Sequence, residues 1–471
     1  MVRALILVCV SLAAFRAAAT NGVISLETAI NTALSGNREL AALELELNGR
    51  VLAAEQARYQ FAYNLRPIAA ASARSDAEFL QAGLAASRQL PVGTEIEAGV
   101  RMDSISSDGA ARERLGAVFA EMVQPLFRDL GTLVNREGIV AADQRILAAR
   151  RVLELRKTDL VVQLVETSQD LLRLERLIGF EARTIERYEK LARLTRAREK
   201  QGRATRVERL RVEFLQGQAE ARRASAIEQR ISRQADFAEL LGLLPETPLT
   251  PEDTPDMRLA VPERDEAVTL ALANRLDVAQ ALQDIADARR GMAIATKRLQ
   301  PGISVIGRYE RFGRGTSSDE AWALDEDGWA IGLSTDSDLL LRDERLGVRQ
   351  AALNEQSATL RLEEVEALVR RQVEQALSAL RRAEEERRIA EGNLDLATQR
   401  ANLAQRLFEK GRIDHTAATD AETELLDAQT KLLDARAEAV VAGYRFLRMM
   451  GLLLDVPEEL KPPAARVAAQ P

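Results

Sequence analysis

The spacing of hydrophobic residues changes along the first half of this chain from helical to strand-like. Residues 25–64 have helical spacing, with Ser25 as the expected N-cap and Pro67 as the expected stop. From about residue 68 to residue 127 the period becomes two, as expected of strands with one apolar face. The apolar positions of this alternation include Val92, Ile96, Ala98, Val100 and Met102. The positions between them are Gly93, Glu95, Glu97, Gly99, Arg101 and Asp103.

The pattern then returns to helix for a very long stretch. Hydrophobic residues at steps of three and four predict a helical hairpin over 135–242 that turns at Gly202. The arm from Asn135 to Gln201, about 65 residues, would be ~100 Å long, which is far more than a compact domain needs, and a second helix returns to Leu241. The residues of this heptad-like row are Leu160, Leu164, Thr167, Leu171, Leu174 and Ile178.

The second half of the chain follows the same plan. A helix is predicted over 264–299 and stops at Pro301, and strands are predicted over 302–339. A second long hairpin is predicted over 343–452, with its turn at Gly411.

The two halves also share sequence, which points to an internal duplication. ETAINTALSGNREL (27–40) aligns without a gap to DEAVTLALANRLDV (265–278), KQGR (200–203) matches EKGR (409–412), and ELLGLL (239–244) matches RMMGLL (448–453). We therefore divide the chain into a first repeat (20–245), a proline-rich linker (246–262), a second repeat (263–455) and a tail over 456–471 that we expect to be disordered. Such a duplication favours a symmetric assembly over an enzyme with one pocket.

Composition and charge narrow the function. Charged residues make up 29% of the 471 residues and aromatic residues only 4%, which is typical of long helices and coiled coils. The formal charge of −7 gives no basic field for nucleic acid. With a single histidine, His415, and no nucleophile–base set, metal-spaced ligands or phosphate loop, we expect neither an enzyme nor a cofactor.

The amino terminus is typical of a secretory signal peptide, which we place at residues 1–19. Arg3 precedes an apolar core, and Ala17 to Ala19 offer a cleavage site, so that Cys9 would leave with the signal. No later apolar run reaches ~18 residues, so a membrane-bound form would have to cross the bilayer as strands. A few hairpins become stable when several chains pool them into one closed barrel; the alternative is a small periplasmic sheet with one buried face.

With this order of helices and strands, the chain resembles the TolC family of outer-membrane efflux channels. The resemblance runs from Leu26 to about Leu452 and is carried by the order and duplication of four stretches: LETAINTALSGNREL (26–40), ALANRLDV (271–278), QPLF (124–127) and GRIDHTAATDAETELLDAQ (411–429). It implies a mainly α protein with a small β part, built from two structural repeats. It further implies a homotrimer in which each protomer gives four strands to a twelve-stranded transmembrane barrel, and long helical hairpins to a periplasmic α-barrel.

The function implied by this resemblance is a passive exit duct of a tripartite efflux pump or type I secretion system. The duct would lie in the cell outer membrane and extend into the periplasm. Its partners would be outer-membrane lipid, a periplasmic adaptor and an inner-membrane transporter of the RND or ABC type. The alternative is the periplasmic adaptor itself, although adaptors carry one hairpin between lipoyl-like and β-barrel modules. A third hypothesis, a periplasmic α+β enzyme, is disfavoured because the sequence offers no catalytic site.

One departure from the family concerns the strands of the first repeat. The stretches 68–74, 80–90, 92–102 and 115–127 are more strand-like sequence than one hairpin needs, and LPVGT at 90–94 resembles a turn. An extra hairpin and one long bent strand are both compatible with this pattern.

The candidate functional residues follow from the turns between the long helices. We expect Gly202, Arg203, Gly411 and Arg412 to form the periplasmic tip that docks a partner. The nine Lys and Arg residues between 190 and 211 favour either such a docking surface or a solvated face. Asp420 matches one of two acidic positions that line the closed tunnel end in the family, while Ala417 stands at the other. His415 is expected to be a solvated or capping residue.

Overall fold

The computed structural model describes residues 22–73, 77–107, 112–202, 204–252, 261–336 and 340–463. The chain divides into two compact units, each assembled from separate segments. The described residues of the helical unit fall within 1–44, 151–279 and 365–471, and those of the sheet unit fall within 45–150 and 280–364. The predicted signal peptide (1–19) lies outside the described residues.

Ten α-helices occur in the described part of the chain, and four of them form two long hairpins. In chain order they are α1 (Leu26–Gly36), α2 (Arg38–Arg58), α3 (Thr132–Asn135), α4 (Glu137–Lys200), α5 (Arg206–Leu240), α6 (Arg264–Asn274), α7 (Leu276–Arg298), α8 (Ser318–Ala321), α9 (Arg342–Glu409) and α10 (His415–Met450). The strands are β1 (Val23–Ile24), β2 (Asn64–Ala73), β3 (Ala77–Gln89), β4 (Glu95–Ser107), β5 (Glu113–Pro125), β6 (Thr250–Pro251), β7 (Ile303–Gly315) and β8 (Glu326–Thr335).

The internal duplication is visible in the backbone of the helical unit. Helices α1 and α2 are separated by one extended residue, Asn37, with φ −67° and ψ 128°. Helices α6 and α7 are separated by Arg275, with φ −72° and ψ 130°. The N–H of Asn37 donates to the carbonyl of Ala33, and the N–H of Arg275 donates to Ala271, four residues back in both cases. The two repeats therefore share a helix break at equivalent positions.

Packing of the helical unit follows the predicted heptad-like row. Leu160, Leu164, Leu171 and Leu174 on α4 are all buried, with at most 4% of their surface exposed. The neighbouring Val165 packs with Leu26 of α1 and Val441 of α10, so that the short helix covers the start of the bundle. Burial of this row is the main stabilising contribution to helices that are otherwise rich in charge.

Glycines allow close contact where each long hairpin meets its short helix. Gly242 follows α5 with φ +74°, and a Cβ there would lie 2.0 Å from the carbonyl oxygen of Gly36. The equivalent Gly451 follows α10 with φ +71°, and its nearest neighbours are atoms of Asn274 at 3.1–3.2 Å. Both positions need a left-handed residue, and the first junction also leaves no room for a side chain.

The sheet unit contains one antiparallel sheet of six strands in the order β2-β3-β4-β5-β7-β8. Its register aligns residues across the whole width: Leu65, Ala86, Ala98, Ala120, Tyr309 and Trp329 lie in one row. Because side chains alternate between faces, this row fixes which residues share a side of the sheet.

The two faces of this sheet differ in chemistry. The apolar face carries large exposed hydrophobic side chains; Trp329, Ile331 and Leu333 on β8 are 74–76% exposed. The polar face carries a set of charged side chains around Phe119. The apolar face also includes Leu65, Leu80, Leu84, Ile96, Val100, Val118, Met122 and Tyr309, and the polar face includes Arg66, Glu97, Arg101, Asp103, Glu121, Arg308 and Glu310.

The first repeat contains an extra hairpin, so the alternative of one long bent strand is wrong. Strands β3 and β4 pair along their full length and are joined by the turn at 90–94. In the part of the chain that the structure describes, six strands therefore pair in the sheet, instead of the four that the family resemblance implied.

Other differences from the predicted boundaries are local. The first helix, expected over 25–64, ends at Arg58; a 3₁₀ turn (Tyr59–Phe61) follows, and β2 begins at Asn64. Pro67 lies inside β2 instead of stopping a helix, because an edge strand tolerates a missing N–H. The helix expected over 264–299 is likewise broken, at Arg275.

The C-terminal tail is ordered further than expected. Disorder was expected from residue 456, whereas a 3₁₀ turn forms at Glu458–Leu460 and Leu460 is 2% exposed. The Nε of the buried Arg151 donates to the carbonyl of Leu460 at 3.2 Å. One buried leucine and this hydrogen bond hold the tail against the helical unit; residues 464–471 lie outside the described part.

Candidate functional site

The turns at the ends of the two long hairpins are built in the same way. Gly202 and Gly411 both have φ +69° and end α4 and α9. Three residues later a side chain caps the next helix. Thr205 accepts from the N–H of Glu208, and Asp414 accepts from the N–H of Ala417 at 2.9 Å. A left-handed glycine followed by an N-cap reverses the chain within five residues.

The two turns belong to one packed tip. Leu191, Val212, Phe408 and Ala418, from all four long helices, form a buried cluster with Ala192. Arg198 of α4 donates to the carbonyl of Phe408 at 2.7 Å, and its guanidinium lies 4.1 Å from the centre of the Phe408 ring. This arginine satisfies one of the free carbonyls at the end of α9 and joins the two hairpins.

Ion pairs cross the tip between helices. Lys190 pairs with Glu409 at 3.0 Å, and Arg187 with Glu422 at 2.7 Å. Hydrogen bonding from Lys190 lowers the pKa of Glu409. Burial raises the pKa of Glu422, although the charge of Arg187 acts in the opposite direction. These contacts order the end of the bundle, and the exposed pair contributes little free energy by itself.

Much of the basic stretch between 190 and 211 is neutralised by neighbouring acids. Arg196 pairs with Glu213 at 2.6 Å, and Arg209 contacts both Glu199 and Glu213. Exposed cations without an acidic partner remain close to the two turns in the described part of the chain: Lys200, Arg206, Lys410 and Arg412. Arg203, one of the predicted tip residues, lies outside the described residues. Of the predicted docking residues, Gly202, Gly411 and Arg412 are thus placed together at one exposed end.

Asp420 contacts Arg211, which holds the equivalent position in the first repeat. It lies nine residues after Gly411, and Arg211 lies nine residues after Gly202. Nη2 of Arg211 and Oδ1 of Asp420 are 3.4 Å apart, and both side chains are about half exposed, at 48% and 51%. A surface pair of this kind contributes ~0–1 kcal/mol, so the arginine balances the charge of Asp420 more than it fixes its position.

The polar face of the sheet carries a second group of charges. Arg101 lies 3.6 Å from Glu310, and Arg308 lies 3.0 Å from Glu310 and 3.8 Å from Glu121. The guanidiniums of Arg101 and Arg308 are each 5.8 Å from the ring centre of Phe119. Both signs alternate across the strands, so this face is strongly polar without a large net charge.

The sequence assigned no role to these charges, and Arg198 was only one of the nine basic residues between 190 and 211. The signal for the charges was available, because Glu95, Glu97, Arg101 and Asp103 occupy the strand positions opposite the hydrophobic ones. The contact of Arg198 with Phe408 joins residues 210 positions apart, and no local pattern reveals it.

Within the described ranges, no cluster of three or more His, Cys, Asp or Glu side chains could hold a metal ion. No described helix is long and apolar enough to cross a bilayer.

Comparison with known proteins identifies the second repeat. Residues 267–452 match the family model "Outer membrane efflux protein". The second repeat is therefore similar to this family over nearly its whole length. No curated protein matches the chain.

Solved structures extend this likeness to the fold of the whole chain. The outer-membrane channel OprN superimposes with a TM-score of 0.71 at 19% identity, over 90% of this chain and 89% of that one. VceC of Vibrio cholerae gives 0.69 at 16% identity, over 90% and 96%. The open state of MtrE of Neisseria gonorrhoeae gives 0.69 at 17% identity, over 91% and 89%. The predicted TolC-like fold is confirmed.

Proposed function

We propose that this chain is the outer-membrane exit duct of a tripartite efflux pump or type I secretion system. The observation that carries the proposal is the match of the second repeat to the efflux protein family, within a fold shared along 90% of the chain with the outer-membrane channel OprN. The two-faced sheet suits a barrel wall, with the apolar face towards lipid and the polar face towards a water-filled channel. The long hairpins extend into the periplasm.

The partners of the duct are a periplasmic adaptor and an inner-membrane transporter of the RND or ABC type. The tip residues Gly202 and Gly411 with Arg412 support this assignment, because they are exposed at the end of an ordered bundle. The unpaired cations around them favour an acidic surface on the adaptor. The duct consumes no energy and needs no cofactor. The competing role, an adaptor with one hairpin, accounts for neither the second hairpin nor the six-stranded sheet.

The duct is expected to be a homotrimer in the outer membrane. The sheet of one chain is open, since β2 and β8 each pair on one side only, and pooling strands from several copies removes these edges. The test is the mass of the full-length protein after expression, membrane fractionation and extraction with detergent. A trimer in the outer-membrane fraction is the expected result. A monomer that stays in solution without detergent would contradict the proposal.

We propose further that Asp420 faces the periplasmic aperture together with Arg211. The two side chains carry opposite charges and lie 3.4 Å apart, so both would act on the same ion path. Removal of one or the other should therefore shift ion selectivity in opposite directions. Asp420→Ala is expected to lower the preference for cations in planar-bilayer recordings, and Arg211→Ala is expected to raise it. Asp427→Ala is the matched control, because Asp427 lies on the same helix and pairs with Lys431. Unchanged selectivity in both aperture variants would place the pair away from the ion path.

A further inference from the structure

The six-stranded sheet contains a hairpin that has no counterpart in the second repeat. Strand β2 follows the short helices of the first repeat, and β5 precedes its long hairpin. In the second repeat β7 and β8 take these two places, with one connection between them. The pair equivalent to β7 and β8 is therefore β2 and β5, and β3–β4 is inserted between them.

The inserted hairpin is fixed to the rest of the sheet unit at its turn. Gly93 has φ +97°, and a Cβ there would lie 2.4 Å from the carbonyl oxygen of Asp129. The N–H of Gly131 donates to the carbonyl of Val92 at 2.8 Å. Thr94 is 6% exposed and donates from its hydroxyl to Gln124 at 2.6 Å. The turn is thus held by the segment that leads from β5 into α3 and α4.

The inserted strands also continue both faces of the sheet. Leu84 and Val100 extend the apolar face, in the same row as Val118 of β5. On the opposite face Glu97 accepts from Arg66 of β2 at 2.7 Å, and Arg101 approaches Glu310 of β7 at 3.6 Å. A hairpin that left the sheet would give up these ion pairs and expose its alternating apolar side chains to water.

We infer that β3–β4 is a permanent part of the channel wall, so that each copy contributes six strands and the β8 edge of one copy pairs with the β2 edge of the next. This inference rests on the proposed function, which supplies the assembly. Every neighbouring pair in the sheet is antiparallel, so β2 and β8 run in opposite directions. A second copy therefore continues the antiparallel order across the subunit boundary.

The consequence is a wider passage than four strands per chain would allow. Barrel diameter grows roughly linearly with strand number, so eighteen strands from three copies give about 1.5 times the diameter of twelve. Barrels of ~16–18 strands leave an open aqueous channel. The duct would accept correspondingly bulkier solutes at the outer membrane.

Disulfide mapping tests the strand order within one chain. Leu65→Cys with Ala86→Cys, and Ala98→Cys with Ala120→Cys, join residues that are direct neighbours in the register. Leu65→Cys with Ala120→Cys joins β2 to β5, which are three strand spacings apart, ~14 Å. The natural chain has one cysteine, Cys9, in the predicted signal peptide, so the background is low. Bonds are scored by loss of maleimide labelling after oxidation of intact outer membranes.

The expected result is near-complete loss of labelling for the two neighbour pairs and full labelling for Leu65→Cys with Ala120→Cys. The reverse outcome would show β2 beside β5 and would overturn the inference. Asn64→Cys with Ser87→Cys, against Asn64→Cys with Glu121→Cys, repeats the comparison one residue away. Adjacent pairs alternate between two hydrogen-bonding geometries, so at least one level offers a favourable Cα separation.

The subunit boundary is tested by a separate pair. Ala70→Cys in β2 is combined in turn with Gly328→Cys, Ala330→Cys and Gly332→Cys in β8, all on the polar face. Covalent dimers and trimers on denaturing gels are expected in at least one combination. If no combination gives covalent dimers or trimers while the neighbour pairs within the chain still form disulfides, pairing of β8 with β2 of the next copy is refuted. The six-stranded order within one chain would then still hold.

Discussion

Gly411→Val is expected to abolish export while the protein still reaches the outer membrane in its normal assembly. Gly411 has φ +69°, a conformation that costs an L-residue ~1–2 kcal/mol and a β-branched one more. Apart from its chain neighbours, no described atom lies within 4 Å of the position that a Cβ would occupy, so the damage arises from the backbone and stays at the turn. The measurements are export in cells that depend on this chain and chemical cross-linking of the tip to the adaptor.

The matched control for this prediction is Gly411→Asn. Asparagine adopts the left-handed conformation far more readily than valine, so it is expected to retain most of the export. Gly202→Val and Gly202→Asn repeat the comparison at the other turn, which has the same φ and the same open surroundings. Normal export and adaptor cross-linking in a correctly located Gly411→Val protein would remove the argument for docking at the tip.

Gly242→Ala is expected to lower the thermal stability of the detergent-extracted protein much more than Gly451→Ala. Both glycines have nearly the same positive φ, +74° and +71°, so the conformational cost cancels in the comparison. A methyl group at 242 would lie 2.0 Å from the backbone oxygen of Gly36, whereas at 451 its nearest neighbours are 3.1 Å away. Backbone cannot move aside as a side chain can, so the first repeat would have to separate α1 from the end of α5.

The measurement is the unfolding temperature of each variant, with Gly291→Ala as a control for glycine in a helix with open space around it. Gly291→Ala is expected to be neutral or stabilising by ~0.5–1 kcal/mol. Equal losses at 242 and 451 would mean that the close approach of Gly242 to Gly36 does not contribute to the stability of the native protein.

Much of the architecture could be predicted because its signals are periodic. The heptad-like row from Leu160 to Leu174 indicated the long helix and its buried side, and the paired turn glycines indicated the duplication. The helix break at Asn37 could not be predicted in this way. Asn37 caps the next helix through its own side chain, accepting from the N–H of Glu39, and Arg275 takes the same backbone conformation without an asparagine.

At the tip, too, features set by the local sequence could be predicted, whereas contacts between distant residues could not. Gly202 and Gly411 were found because a left-handed turn needs glycine, whatever surrounds it. The partners of the charged residues depend on which helices face each other, so the pairing of Asp420 with Arg211 needed the structure. The strand count needed it as well, since alternation alone fits either a hairpin or a bent strand over 80–102.

The contact of Gly242 with Gly36 is closer than that of Gly451 with Asn274. This difference decides which of the two repeats can take the residue of the other at this position. Asn274 occupies the place that Gly36 holds in the first repeat, so the looser junction has accepted a side chain where the tighter one has none. A Cβ at Gly36 would lie 2.9 Å from the carbonyl oxygen of Leu241. Transfer of glycine into position 274 should be tolerated, while transfer of asparagine into position 36 should not. At this position, replacement by the residue of the other repeat is thus expected to be tolerated only in the second repeat.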